Sequence, residues 1–320
     1  MGKASRTKQD IGRREKVAAQ REAERRQELR NRLLIAGSAI AVVVIIVVVF
    51  VVVKANSNKS TASSGPTATA PSAAALSSLV SQVTSVPVSV TDTVGSGGSQ
   101  VIGKPMAVTG SATPLTANGK PEMLYVGANY CPYCAAERWS MIVALSRFGT
   151  FSGLTPIHSA AKNGAGTAEP YPNTATWTFH GSSFTSQYLT FTPVEVQTNV
   201  PDSKTGGYTT LETMSSAQNA VFNKYDAPPY VPSGNNGSFP FVDFGNKYII
   251  AGASYNPQAL ANLNWNQIAA ALSNPSSPVT KAVGGAANYM TAAICKLTNN
   301  QPATACTSTV QQLQSQLVAP

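Results

Sequence analysis

Two cysteines separated by two residues, between a β-prone run and a helical pattern, restrict this chain more than any other feature. The stretch is "EMLYVGANYCPYCAAERWSMIVALSRFG", residues 122–149, in which Cys131 and Cys134 bracket Pro132 and Tyr133. "EMLYVGA" is short and β-prone. After it Ala135, Trp139, Ile142, Val143 and Leu145 recur at roughly helical spacing, and Gly149 is the expected C-cap. Such a pair can be a zinc clip, a structural bridge or a working dithiol. The compartment in which it stands decides between them.

The compartment follows from the N-terminus. Residues 1–32 carry eleven Lys/Arg and five Asp/Glu, whereas from Ala55 onward there are eleven basic and nine acidic residues. The +9 formal charge therefore belongs mostly to a short tail. The remainder is nearly neutral, with no basic patch interleaved with aromatics, and no nucleic-acid partner is expected. Residues 33–53, "LLIAGSAIAVVVIIVVVFVVV", then run without a charge. As a helix they span about 31 Å at about 1.5 Å per residue, close to the hydrocarbon thickness of a bilayer. A cleaved signal peptide has a shorter apolar core and a small-x-small site, and Val53-Lys54-Ala55 is a poor one. The expectation is a retained single-pass anchor in the cell membrane. Its basic flank keeps the N-terminus cytoplasmic, as a solvated, lipid-brushing helix, and sends the C-terminal bulk across the bilayer.

Export changes how the four cysteines read. An even number outside the cytoplasm leans towards disulfides, yet four in about 250 residues is no disulfide scaffold. The fold must rest on its hydrophobic core. Residues 54–75, rich in Ser, Thr, Ala and Pro, read as a flexible stalk, and residues 76–320 as one extracytoplasmic domain. Within it "LSSLVSQVTSV" has a helical period. "GLTPIHSA" is the expected next strand, and "TATWTFHG" and "SQYLTFTPVEV" alternate like exposed-edge or half-buried strands. "YTTLETMSSAQNAVFNKYD" reads as a helix. "FPFVDFGNKYIIAGASY" reads as a hairpin around "FGNK", and "NPQALANLNWNQIAAALSN" as one amphipathic helix capped by Asn256 with Pro257 at its first position. A last helix, "AVGGAANYMTAAICKL", carries Cys295.

The order is strand, Cys-x-x-Cys at a helix start, strand, insert, Pro-led hairpin, helix. It resembles the thioredoxin arrangement, an α/β fold, here with an insertion of about 80 residues in its middle. A thiol attacks as its thiolate, and the amide dipoles at a helix N-terminus favour negative charge. Cys131, just ahead of the helix, suits an exposed nucleophile. Cys134, one turn on, suits the resolving thiol, while Pro132 and Tyr133 fix the turn and face the substrate. The resemblance to thioredoxin-like proteins implies a cis-proline at Pro240, beside the nucleophile, with the backbone of Phe239 pairing with an extended substrate peptide.

Three runs carry a closer resemblance: "GKPEMLYVGANYCPYCAAERWSMIVALSRFGTFSGL", "TATWTFHG…SQYLTF" and "AAICKLTNNQPATAC". They look like a family of membrane-anchored thioredoxin-like proteins, domain of unknown function 929, over most of residues 76–306. The likeness implies the fold more than a reaction. One departure stands out. Thioredoxin-like oxidoreductases carry a buried acid six residues before the first cysteine, and Tyr125 stands there. Proton handling then falls to Glu137 or to water, although Glu137 also reads as an ordinary exposed helix charge.

Zinc held by all four cysteines is a poor reading, because ten residues separate Cys295 from Cys306. Neither His158 nor His180 has a partner at ligand spacing, so no metal and no cofactor is expected. Cys295 and Cys306 read instead as a structural disulfide closed over "TNNQPATA". The functional expectation is an extracytoplasmic thiol–disulfide oxidoreductase acting on cysteines of exported proteins, with a membrane redox partner. The alternative is a thioredoxin-fold binding or assembly module whose Cys131–Cys134 bridge is inert. Oxidation, reduction and isomerisation are not separable from residues alone.

Overall fold

The computed structural model describes residues 72–232 and 235–317. The tail, the run 33–53 and most of the stalk lie outside the described residues. Among the described residues no single helix is long and apolar enough to cross a membrane. The molecule is a mixed α/β structure built on a mixed sheet.

In chain order the strands are β1 (Met106–Ala107), β2 (Thr116–Ala117), β3 (Lys120–Gly127), β4 (Gly149–Ser152), β5 (Thr155–His158), β6 (Ala175–Thr178), β7 (Ser183–Ser186), β8 (Thr190–Glu195), β9 (Gln197–Pro201), β10 (Tyr208–Thr210), β11 (Phe241–Phe244) and β12 (Tyr248–Ala251). The α-helices are α1 (Ala73–Thr84), α2 (Val88–Val94), α3 (Pro132–Leu145), α4 (Ser216–Tyr225), α5 (Trp265–Ala271), α6 (Pro278–Leu297) and α7 (Ser308–Gln314).

β3 is the centre of the main sheet. It pairs parallel with β8, Tyr125 opposite Pro193, and antiparallel with β11, Tyr125 opposite Val242. β12 follows on β11, then β1, while β2 pairs with the start of β3. A parallel neighbour requires a crossover, and α3 is in it. The sequence reason for β3 is that "MLYV" has no polar face. Met123 and Tyr125 enter the larger core, and Leu124 and Val126 enter a second one with Phe222, Phe241 and Ile249. The hairpin reading of "FPFVDFGNKYII" corresponds to β11 and β12, and the pair does share a sheet with "EMLYVGA".

Every residue of α3 except Tyr133 is buried. Trp139 Nε1 donates to Ala175 O on β6 at 2.9 Å, and Ser140 Oγ donates to Val283 O on α6 at 2.9 Å. α6 in turn runs close to the chain before it: a Cβ on Gly285 would come within 2.6 Å of Gly97 Cα. The small residues of "AVGGAA" are there to allow that approach.

Several expectations need correction. The parallel partner of β3 is β8, not the strand at "GLTPIHSA". The insertion of about 80 residues was expected after the second strand and before the Pro-led hairpin; residues 146–189 instead intervene between α3 and β8, folded as the antiparallel pairs β4–β7 and β5–β6. β6 is not half-buried; all four of its residues are buried, because α3 covers it. α3 ends at Leu145 with Ser146 as its C-cap, and Gly149 opens β4. The expected helix at "NPQAL…" is two pieces, a 3₁₀ turn at Pro257–Leu260 and α5, each with its own Asn cap, since Asn256 and Asn264 both compete for local N–H groups. The helix expected from residue 208 onward begins only at Ser216, behind a capping box of Ser215 and Gln218, and β10 precedes it. Ala73, Ala74 and Ala75, assigned to the stalk by composition, form the first turn of α1, with Ser72 Oγ accepting from Ala75 N.

Candidate active site

The loop leaving β3 delivers Cys131 to the N-cap position of α3, with Pro132 at the first helical position, where a missing N–H costs nothing. Cys131 Sγ accepts a hydrogen bond from Cys134 N at 3.2 Å, so the sulfur takes the place of the usual capping oxygen. Both thiols are free. Phe239–Pro240 is a cis peptide, and Cys131 Sγ lies 3.9 Å from Phe239 O, to which the thiol donates. Phe239 stacks on Phe222 of α4, and Gly252 N donates to Pro240 O at 2.8 Å. Cys131, Cys134, Phe239 and Pro240, far apart in the sequence, therefore come together.

Cys131 was expected at the surface, yet it is only 6 % exposed, and Cys134 is 0 % exposed. Tyr130, Val196 and Phe239 pack around the pair. Tyr130 is held in place by stacking on Tyr208 of β10 at 4.0 Å and by Ala160 N donating to its carbonyl. Pro132 is buried too, so of the two central residues only Tyr133 presents a face to solvent, edge-on to Tyr171.

The two sulfurs differ electrostatically. Burial alone would push the Cys131 thiol up. The hydrogen bonds it receives from the Cys134 thiol and backbone N–H, and the positive charge of Arg138, outweigh that and hold it below the ordinary cysteine value. Complete burial, and the hydrogen bond given to Cys131, push Cys134 well up. The geometry thus separates a thiol that ionises readily from one that keeps its proton.

Arg138 was not singled out in the sequence. It is fully buried one turn beyond Cys134 and forms an ion pair with Glu195 at the end of β8, Nη1 to Oε1 2.6 Å. The same nitrogen lies 3.3 Å from Ala128 O and from Asn129 Oδ1 and 3.5 Å from Tyr125 Oη, and Nε donates to Thr176 Oγ1. Glu195 Oε2 accepts from Thr178 Oγ1 and from the N–H groups of Phe179 and His180. The available signal was three charges within two apolar patterns, Glu137 and Arg138 in "CAAERWSMIV" and Glu195 in "PVEV"; an unpaired charge is intolerable in such places, so the cation must find an acid.

Glu137 is not an exposed helix charge. It is fully buried and accepts from Ser254 N and Ser254 Oγ, both at 2.7 Å, tying α3 to the chain after β12. His158 packs against the Trp265 ring, and exposed His180 pairs with Glu212 through Nδ1. Far from the free pair in sequence, Cys295 at the end of α6 is joined to Cys306 by a disulfide, and both are buried.

Neither a curated protein nor a solved structure is similar enough to this chain to match it. The sequence pattern of one family does match, over residues 106–296, a stretch that contains the strand, the cysteine pair, the cis-proline and Cys295. The chain belongs to that family, the domain of unknown function DUF929.

Proposed function

We propose that the protein is a thioredoxin-like thiol–disulfide oxidoreductase held at the outer face of a cell membrane by residues 33–53. The fold reading is supported by the connection β3–α3–β8 with parallel outer strands, followed by α4, the antiparallel hairpin β11–β12 and a helical C-terminal layer. The observation that carries the reaction is the asymmetric pair at the start of α3: a capping sulfur that ionises below the usual range, a buried second sulfur that does not, and the Phe239 carbonyl 3.9 Å from the first.

In the oxidising direction a substrate thiolate attacks the Cys131 sulfur of the Cys131–Cys134 disulfide. The S–S bond breaks, Cys134 leaves and takes up a proton, and a mixed disulfide joins substrate to Cys131. A second substrate thiolate then attacks the substrate sulfur of that bond. Cys131 departs as thiolate, and two electrons have passed from substrate to protein. The reverse sequence is reduction. Phe239 and Tyr133 stand where an extended segment of an exported protein would approach.

One observation favours the other reading, an assembly module with an inert pair: the 6 % exposure of Cys131. Trapping separates the two. In a Cys134→Ala variant the mixed disulfide has no resolving thiol, so covalent adducts between Cys131 and exported proteins should accumulate and disappear in Cys131→Ser. A wild-type pair that never exchanges with glutathione, together with an adduct-free Cys134→Ala variant, would leave only the binding module. Protease added to intact cells should remove the C-terminal mass and spare the tail. A mature protein released in soluble form would overturn the anchor.

A further inference from the structure

The buried ion pair behind the dithiol has no role in folding alone that requires it. Exchanging two buried charges for apolar side chains of similar volume is often neutral or stabilising, so the presence of two fully buried ones asks for another cause. Their location supplies one. Arg138 shares α3 with both cysteines, one turn beyond Cys134. Its Nη1 reaches the carbonyl of Ala128, whose side chain packs against both Cys131 and Cys134. Its Nη2 is buried with no hydrogen-bond partner among the described residues. The counter-charge is not equally close to the sulfurs in its effect. Glu195 turns its second oxygen away to Thr178, Phe179 and His180, which spread its charge over three further donors.

We propose that Arg138 is a positioning residue for the dithiol: its guanidinium, braced by Glu195, favours the charged, reduced pair over the disulfide and so drives the couple towards oxidising its substrates. The step concerned is substrate dithiol plus Cys131–Cys134 disulfide giving substrate disulfide, Cys131 thiolate, Cys134 thiol and one proton released to water. A fixed positive charge lowers the free energy of the thiolate product and leaves the neutral disulfide unaffected, so it pulls electrons onto the protein. This also accounts for Tyr125 standing where related folds carry an acid. A carboxylate there would add negative charge beside the thiolate, whereas Tyr125 stays neutral, pushed well up by burial and by the nearby sulfur of Cys134.

The other titratable groups around the pair do not supply the effect. Tyr130, Tyr133 and Tyr208 are pushed up, each first by burial, and remain protonated at neutral pH. Glu169 is engaged by the Tyr208 hydroxyl at 2.6 Å. Arg138, buried on α3 one turn beyond Cys134, favours the charged form of either sulfur, in addition to the hydrogen bonds that Cys131 receives from Cys134.

The inference rests on the oxidoreductase reading, and the test distinguishes the failure of each. The full chain is titrated by thiolate absorbance and equilibrated with glutathione, with Cys131 followed by alkylation. In Arg138→Met the thiolate midpoint should rise by about one pH unit, and the equilibrium constant with glutathione should move at least tenfold towards the disulfide, about 30 mV. Arg138→Lys should recover part of both. Glu195→Gln should move the midpoint the opposite way, which no loss of packing would do. If Arg138→Met does not fold, Arg138→Met/Glu195→Gln keeps the site neutral and should shift both readouts in the direction of Arg138→Met, by less because the loss of the Glu195 charge opposes it. A wild-type pair that does not exchange with glutathione at all removes the oxidoreductase reading and this inference with it. A wild-type pair that exchanges, beside folded variants with unchanged midpoint and potential, overturns the role of Arg138 alone.

Discussion

Cys131 Sγ stands 3.2 Å from the backbone N–H of Cys134 and caps the helix that both cysteines begin. A thiolate at that position gains the hydrogen bond and the positive end of the helix together. The expected result is that iodoacetamide modifies Cys131 with a midpoint below that of an ordinary cysteine. In Cys134→Ala the midpoint should rise, because the hydrogen bond donated by the Cys134 thiol is lost. An unchanged midpoint would mean that the backbone and Arg138 alone hold the thiolate.

Glu137 and Asp243 give stability an unusual pH dependence. Burial raises both carboxyls to about 7, against the hydrogen bonds from Ser254 and Asn246 that favour the charged forms. In the unfolded chain they titrate at their ordinary values of 4.5 and 3.8. Between the two ranges the folded state holds protons that the unfolded state has released. Their contribution to stability is therefore full below the unfolded values and is lost as pH rises through about 7. Thermal denaturation should give a higher Tm at pH 5.5 than at pH 8. Glu137→Gln, whose amide oxygen accepts from Ser254 N while its NH2 can donate to Ser254 Oγ, carries no charge and should reduce that difference.

Much of the fold was legible. The unbroken apolar run "MLYV" announces a strand buried on both faces, and the hairpin around "FGNK" follows from its turn residues. What local pattern does not contain is which strands become neighbours. The parallel partner of β3 is "TFTPVE", separated from it by the whole inserted segment, and nothing in "GLTPIHSA" marks it as belonging to a different pair. The site shows the same division. Cys131 and Cys134 announce themselves by spacing, whereas Arg138 and Glu195 acquire meaning only when α3 and β8 meet. Exposure differs for a related reason. The start of a helix is normally open, but here Tyr130, fixed by Tyr208 of β10 and by Ala160 of the inserted chain, closes over it.

Gly127 is required by Tyr125. A Cβ on Gly127 would lie 2.1 Å from Tyr125 Oη and 2.5 Å from Cζ, and the ring, fully buried and edge-on to Phe179, has nowhere to go. Gly127→Ala should destabilise by about 1–3 kcal/mol, the usual range for overpacking a filled core. A denaturant titration checks this. Because the tyrosine hydroxyl lies 3.5 Å from Arg138 Nη1, the variant should also disturb the thiolate midpoint of Cys131. An alanine variant as stable as the parent would mean that the strand end shifts freely.

The Cys295–Cys306 bridge is the last test, because it decides whether the second pair holds the fold or passes electrons. It closes a segment with a sequence separation of 11 and fastens the end of α6 to the chain entering α7. Cys295 is 0 % exposed and Cys306 2 % exposed. A relay needs a bridge that a thiolate can reach in line with its sulfurs, and both cysteines of this bridge are less exposed than Cys131. Constraining the unfolded chain over so short a loop contributes about 2–3 kcal/mol on the loop-entropy model, if no native strain offsets it. The Cys295→Ala/Cys306→Ala variant should therefore lose stability of that order in a denaturant titration. Its free pair should still exchange with glutathione at the parent rate. A variant of unchanged stability whose Cys131 no longer exchanges would reverse the assignment and make the second bridge part of the electron path.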